Sequence, residues 1–206
     1  MTSNRADERR AKIIRAAARL FEQRGYHNTN VGDIAEAVGL RKATLYHYVR
    51  SKAQILVWIH DDTTGPLLER LEKDAANGIE PREGLRHVVA DILELMETKP
   101  GYLRVYFEHH REIPEELQAE SKRKRDRYQR LVETLIEDGI DTGVFRRDLN
   151  VRLTVLALFG MTNWSYQWYT SGGEFGYHRV ADELVKTFLL GVEPRTRRPE
   201  PGRGDE

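Results

Sequence analysis

The sequence contains no cysteine, which excludes disulfide bonds, thiolate metal sites and a cysteine nucleophile. No stretch approaches about 18 consecutive apolar residues, so we expect no membrane-spanning helix. The first residues are polar and charged, unlike a secretory signal, and we therefore expect a cytoplasmic protein. No alternating apolar segment or Asn-Gly turn indicates a strand or hairpin, so the predicted fold class is all-α.

Motifs that carry enzyme chemistry are also missing. There is no GxSxG motif, no phosphate-binding loop and no dinucleotide-binding fingerprint. Two adjacent histidines, His109 and His110, have glutamates nearby, but neighbouring residues of a helix point to different sides and no third ligand is suitably spaced. We therefore predict no catalytic residues, no metal, no cofactor and no enzymatic activity.

The net charge is zero overall but is unevenly distributed. Residues 1–60 hold 11 Lys and Arg against 5 Asp and Glu, a net charge of +6. The remainder holds 22 against 28, a net charge of −6. A basic segment attached to an acidic body is typical of a DNA-binding domain on a body that does not contact DNA.

Residues 30–49 have the pattern of a helix-turn-helix. The first helix has an apolar face at helical spacing, formed by Val31, Ile34, Ala35 and Val38. Asn30 and Asp33 are placed as a capping box at its start. A second helix over about 42–49 leaves a basic and hydroxylic face outward, as a DNA-reading helix requires. The alternative is an ordinary helical hairpin with a solvated face.

Several short pieces carry a resemblance to a known family, at positions 13–21, 24–26, 29, 33–35, 37–40, 44–48 and 51–56. Together they resemble the DNA-binding domain of TetR-type transcriptional repressors. The resemblance implies a three-helix helix-turn-helix domain, a helical ligand-binding and dimerisation domain, and a homodimer that reads two half-sites of a palindromic operator in double-stranded DNA. The family often has Arg or Lys where this chain has Gly32, so base reading should depend more on the second helix.

The predicted domains are a DNA-binding domain over 1–50, a helical body over 51–193 and a disordered, Pro- and Gly-rich tail over 194–206. Ser51 and Asn150 are predicted N-caps, and Pro81 is a predicted helix start. A predicted helix from Ser51 either ends by Gly65-Pro66 or resumes beyond it. Long helices are also predicted over about 7–24, 82–99, 115–141, 151–170 and 177–190.

The residues predicted to contact DNA are Thr29, Arg41, Lys42, Thr44, Tyr46, His47 and Lys52. Arg41 and Lys42, at the start of the reading helix, can reach phosphates or guanine edges. On the outward face of this helix, Thr44 and Tyr46 offer hydroxyl groups and His47 offers an imidazole. Thr29 and Lys52 lie at helix N-termini and are predicted to clamp the DNA backbone.

The segment 151–170 is apolar on almost all sides, so we predict that it is buried between its own domain and a second subunit. In the TetR-type family the last two long helices form a four-helix dimer interface. The resemblance therefore implies a homodimer interface that includes Ala157, Gly160, Leu184 and Phe188.

The stretch 160–169, followed by Gly172-Gly173, resembles a subgroup of TetR-type regulators that sense CoA thioesters. Within that subgroup it is similar to actinobacterial repressors of late cholesterol-ring catabolism. The resemblance implies a small-molecule effector, a CoA thioester from steroid or fatty-acid catabolism, that releases the repressor from DNA.

The residues predicted to bind this effector are Trp164, Trp168, Tyr169, Arg104 and Tyr128. Trp164 and Trp168, at i and i+4, are predicted to share one helical face and to wall an acyl or ring group. Ordinary core or dimer packing is the alternative. The basic run 121–127 fits either CoA phosphates or a solvated helix face.

Two other functions fit the same sequence. A TetR-type regulator of an efflux pump or another catabolic operon would respond to a hydrophobic ligand without CoA. An architectural DNA-binding protein would have no ligand, but a body of roughly 140 residues is larger than dimerisation requires.

Overall fold

A computed structural model describes the backbone of residues 2–194 and the side chains of residues 6–194. Over that range the chain is helical and has no strand, which confirms the predicted all-α fold. The predicted disordered tail lies outside the described residues, except for Pro194. The helices are α1 (Thr2–Arg24), α2 (Val31–Ala37), α3 (Lys42–Leu45), α4 (Lys52–Ala76), α5 (Pro81–Thr98), α6 (Tyr102–His109), α7 (Glu115–Asp141), α8 (Val151–Asn163) and α9 (Tyr177–Val192), with 3-10 turns at His110–Glu112 and Trp164–Gln167.

Local capping signals set the helix starts as the sequence predicts. The Asn30 side chain accepts hydrogen bonds from the backbone N–H groups of Gly32 and Asp33, and the Asp33 carboxylate accepts one from the Asn30 backbone at 2.7 Å. The Ser51 hydroxyl caps α4, and the Asn150 side chain caps α8. Each cap satisfies backbone donors that have no partner inside the helix.

Two hydrophobic cores are joined by α4. Its first half supplies Ile55, Leu56 and Ile59 to a core with α1, α2 and α3, here called the head. Its second half supplies Leu67, Leu68 and Leu71 to a core with α5, α7, α8 and α9, here called the body. Helix α6 contributes to both cores. Helix α4 is therefore packed along its length, first in the head and then in the body.

Helix α4 continues through Gly65 and Pro66 rather than ending there. Proline has no N–H to donate to the carbonyl four residues earlier, which is that of Asp62. The ammonium of Lys99, at the end of α5, donates to this carbonyl at 2.7 Å. Burial lowers the pKa of Lys99, and the charge of Asp62 opposes that shift. The midpoint of α4, between the two cores, is thus held by the body.

Gly139, near the end of α7, packs closely against the ring of Phe145. A Cβ atom there would lie 2.1 Å from Cδ2 of Phe145, whose side chain is buried. We expect Gly139→Ala to lower the free energy of unfolding by about 1–3 kcal/mol, because the aromatic ring has no room to move. Thermal unfolding measures this loss.

Gly84→Ala is the matched control, since a Cβ at Gly84 meets flexible methyl groups of Leu135 at 2.8 and 2.9 Å. Those methyl groups can rotate away, so we expect a smaller loss than at Gly139. Equal losses at the two positions would contradict this account of the Phe145 contact.

Candidate DNA-binding surface and ligand cavity

The predicted reading helix presents the expected face but is shorter than expected. Arg41, Lys42, Tyr46 and His47 are exposed, and Thr44 is half-buried, while Leu45 and Val49 are buried behind them. The α-helical part ends at Leu45, and tighter turns continue the segment to residue 48. The structure therefore leaves five of the seven predicted DNA-contacting residues accessible on this segment.

Thr29 does not belong to that surface. Its side chain is fully buried, and its hydroxyl donates to the carbonyl oxygens of Leu20 and Gly25 at the end of α1. The prediction that Thr29 clamps the DNA backbone is therefore corrected, because its donor is used within the protein. The hydroxyl instead fixes the approach of the chain to α2.

Lys52 is also turned toward the protein. Its ammonium donates to the carbonyl oxygens of Tyr26 and Thr29 at 2.8 and 2.9 Å and lies 4.0 Å from the centre of the Tyr26 ring. Burial lowers the pKa of Lys52, and the charge of Glu112 opposes that shift. In place of the predicted DNA clamp, the structure shows an internal clamp that holds the α1–α2 loop against α4.

Helix α8 carries an exposed apolar stripe. Its members on α8 follow helical spacing along one side and are Leu153, Leu156, Ala157 and Gly160, and Trp164 in the 3-10 turn that follows is also exposed. Leu153 is 64% exposed and Leu156 48%, whereas Val155 and Leu158 on the opposite side are buried. One side of 151–163 thus packs on the chain's own body as predicted, while the other has no protein against it among the described residues, and its predicted burial by a second subunit stays a prediction.

The predicted interface residues on α9 are less accessible. Phe188 is buried in the core of the body, and this corrects its predicted place in a dimer interface. Leu184 is half-buried and packs against the same core. Nearer the end of α9, Leu190 is 73% exposed, and sequence periodicity did not single it out.

The two tryptophans do not form the predicted wall. Helix α8 ends at Asn163, so Trp164 lies in a 3-10 turn and Trp168 follows it. Their side chains are 61% and 50% exposed, and neither is among the residues that line the cavities described below. The i, i+4 argument fails because the helix does not continue across these positions.

A cavity of about 250 Å³ lies among α4, α5, α6, α7 and α8. Its apolar lining consists of Leu67, Ile92, Leu103, Phe107, Tyr128 and Phe159. Its polar lining consists of Thr63, Thr64, Tyr106, Arg125, Asp126, Gln129 and Asn163. Of the five predicted effector-binding residues, only Tyr128 is among them, and its pKa is raised because the phenol is buried.

The phenol of Tyr106 is the polar centre of the cavity wall. Burial raises its pKa, while the neighbouring side chains of Thr64 and Arg125 act in the opposite direction. Tyr106 therefore stays a neutral phenol, beside a guanidinium that is half-buried. Such a mixture of apolar walls and a few polar groups is typical of a small-molecule site.

Arg104 and Tyr169 line a different cleft, of about 350 Å³, next to the head. The Arg104 guanidinium donates to Glu108 at 3.1 Å and to the backbone carbonyl of Tyr166 at 3.3 Å. The Tyr169 hydroxyl donates to Glu97 at 2.6 Å. The structure thus separates these two residues from Tyr128, and their polar groups are already used within the chain.

The basic run 121–127 is partly neutralised. Lys124 forms an ion pair with Asp61 at 2.9 Å, and Arg127 pairs with Glu72. Lys122 and Arg123 are exposed on the same turn of α7 that places Arg125 at the cavity.

Among the described residues, no helix is both long and apolar enough to cross a membrane.

Comparison with known proteins matches both parts of the chain to family models. Residues 13–58 match the model of bacterial regulatory proteins of the tetR family. Residues 78–192 match the model of the tetracyclin repressor-like C-terminal domain.

Individual relatives match over most of the chain. The HTH-type transcriptional repressor KstR2 of Mycolicibacterium smegmatis is 26% identical over 192 residues, which cover 93% of this chain and 94% of the relative. The structure of the ketosteroid transcriptional regulator KstR2 of Mycobacterium tuberculosis has a TM-score of 0.84 at 23% identity and covers 91% of this chain and 96% of that one. The structure of AibR with isovaleryl coenzyme A and operator DNA has a TM-score of 0.77 at 24% identity and covers 87% and 97%. The two structural likenesses show a shared fold.

Proposed function

The chain belongs to the tetR family of bacterial regulatory proteins and is a transcriptional repressor of that type, and we propose that it binds a palindromic operator as a homodimer and is released by a CoA thioester. Since its proposed partner is chromosomal DNA, we expect it to act in the cytoplasm. The observation that carries the proposal is a cavity whose wall includes α4, the helix that also packs into the head.

The proposed DNA contact is the exposed face of Arg41, Lys42, Thr44, Tyr46 and His47. One such face contacts too few base pairs to be specific, and a two-fold dimer supplies a second. The apolar stripe on α8 supports dimerisation, because contiguous exposed apolar surface on a helix marks an interaction site. Ala157 and Gly160 in its centre allow a close approach of a second copy.

The proposed effector enters the cavity of about 250 Å³. The exposed Lys122 and Arg123 lie close in sequence to Arg125, which lines the cavity, and they offer positive charge to the phosphates of CoA. A fold that is shared with AibR, whose structure holds isovaleryl coenzyme A, supports this class of effector. Both cationic side chains remain open to solvent.

Release follows from the position of Thr63 and Thr64. Both side chains line the cavity, and they lie in α4 between the segment packed in the head and Pro66. A ligand that displaces this part of α4 changes the orientation of the head and hence the spacing of the two reading surfaces. A coupling free energy of about 1–3 kcal/mol is typical of such linkage.

Lys42 and Lys52 provide a matched test of the DNA surface. We expect Lys42→Met to weaken DNA binding and to reduce the slope of log K against log salt concentration by about 0.9, because one phosphate contact is lost. Its melting temperature should not change, since Lys42 is exposed. Fluorescence anisotropy over a series of salt concentrations measures the slope.

Lys52→Met should give the opposite pattern. The loss of two hydrogen bonds to carbonyl oxygens lowers the melting temperature, while the salt slope stays the same for the folded variant. A lowered slope for Lys52→Met at an unchanged melting temperature would show that Lys52 contacts DNA after all. An unchanged slope for Lys42→Met would remove that residue from the interface.

A further inference from the structure

Two buried polar side chains beside the cavity have no hydrogen-bond partner. His60 is 1% exposed, and among the side chains that the structure describes neither of its ring nitrogens has a partner. Ser121 is 6% exposed, and its hydroxyl is likewise unpartnered within residues 6–194. Burial of such groups without partners is costly, and buried polar atoms in folded proteins are nearly always satisfied.

Neither side chain is among the residues that line the cavity, but each lies about one helical turn from residues that do. His60 shares a face of α4 with Thr63, Thr64 and Leu67, at i, i+3, i+4 and i+7, and those three residues line the cavity. The His60 ring lies 4.4 Å from that of Tyr106, which also lines it. The histidine is therefore one helical turn from the lined wall of α4 and in contact with its polar centre.

Ser121 has the equivalent position on α7. It precedes Arg125 and Tyr128 by four and seven residues, so the three side chains share one face of that helix. Arg125 and Tyr128 line the cavity. Two helices thus each place an unused hydrogen-bonding group about one turn from the cavity lining, with His60 against Tyr106 and Ser121 one turn before Arg125.

His60 and Ser121 are both neutral groups that can donate and accept hydrogen bonds. Burial lowers the pKa of His60 to about 3, with Arg125 and His110 acting in the same direction. The imidazole is therefore neutral at physiological pH and has one N–H donor and one acceptor nitrogen. The serine hydroxyl can donate and accept as well. A ligand oxygen would satisfy such groups, whereas a methylene group would leave them unpaired.

The volume of the cavity limits the size of the acyl group that can carry this ligand oxygen. About 250 Å³ lies just below the usual range for ligand sites, roughly 300–1,000 Å³. A short or single-ring acyl group fits such a volume better than a long alkyl chain does.

We infer that His60 and Ser121, with Tyr106 and Arg125, form a subsite for an oxygen on the acyl group of the effector. This inference rests on the proposed release by a CoA thioester and narrows its class. The effector is a CoA thioester of a compact acyl group that carries a keto or hydroxyl oxygen, rather than an unbranched alkyl chain.

Two thioesters that differ by one oxygen test the subsite. The probes are 4-oxocyclohexanecarboxyl-CoA and cyclohexanecarboxyl-CoA, and calorimetry gives the dissociation constant of each for the full chain. We expect the oxo compound to bind about tenfold more tightly to the wild type, as expected for one buried hydrogen bond. In His60→Leu the ratio should fall to within about twofold, because both nitrogens are removed.

The fold of the variant is checked independently. His60→Leu replaces an unpartnered polar side chain by an apolar one, so its melting temperature and its affinity for DNA should be retained. Ser121→Ala is a second, smaller change that should also reduce the ratio. If His60→Leu does not fold, the ratio in Ser121→Ala decides.

The outcomes separate this inference from the proposal on which it rests. Equal binding of both probes to the wild type, or an unchanged ratio in the folded variants, would overturn the subsite. Binding of stearoyl-CoA with no binding of either ring compound would overturn it too, while the proposed release by CoA thioesters would stand. If none of the three thioesters binds, the CoA proposal itself fails, and the subsite with it.

Discussion

Gly160→Arg is expected to convert the proposed dimer to a monomer and to weaken operator binding by at least about 100-fold, since binding of two linked sites exceeds that of one by about 10²–10⁴. Gly160 lies in the centre of the apolar stripe, and a Cβ there meets no atom within 4 Å in the single chain. An arginine is therefore tolerated by the isolated subunit and is a better helix former than glycine. It is not tolerated where a second helix packs closely.

Light scattering after size exclusion measures the mass, and anisotropy measures the affinity. The control is Ala75→Arg, which adds the same exposed cation near the end of α4, away from the stripe. This variant should remain dimeric and bind the operator like the wild type. A dimeric Gly160→Arg protein with wild-type affinity would place the interface elsewhere.

Gln129→Trp should abolish release by the effector and leave DNA affinity within about twofold. Gln129 is half-buried and lines the cavity, and its side chain bonds only to Glu133, one turn further along α7, among the contacts described. An indole at this position occupies space that the acyl group needs. Because the reading surface is untouched, the variant should stay bound to DNA at effector concentrations that release the wild type.

Gln167→Trp makes the same substitution in the other cleft. Gln167 is exposed and lines the cleft that contains Arg104 and Tyr169. We expect its response to the effector to remain normal, as measured by release of labelled operator. Loss of the response in Gln167→Trp, but not in Gln129→Trp, would transfer the effector site to that cleft.

The features that sequence reasoning predicted well are local. The caps at Asn30, Ser51 and Asn150 and the proline at the start of α5 depend on residues one to three positions away. The outward face of the reading segment follows from the inward direction of Leu45. Local signals of this kind do not depend on how the helices pack together.

The features that sequence reasoning predicted poorly depend on how the helices pack together. Thr29 and Lys52 have donors suited to phosphate, but carbonyl oxygens at the end of α1 and in the α1–α2 loop satisfy them first. Apolar composition continues beyond Asn163, and this concealed the end of α8. The lining of the cavity comes from five helices, so no spacing along the chain could identify it.

We propose, centrally, that this protein binds its operator and dissociates from it when a CoA thioester fills the cavity in the body. A gel-shift titration on DNA from upstream of its own gene tests it directly, with oxo-acyl and alkyl CoA thioesters, the free acids and CoA alone. The account predicts a shifted band at low salt that at least one thioester releases and that CoA alone does not. A band that no thioester releases would contradict the proposed effector, and the absence of any shift would contradict the proposed DNA contact.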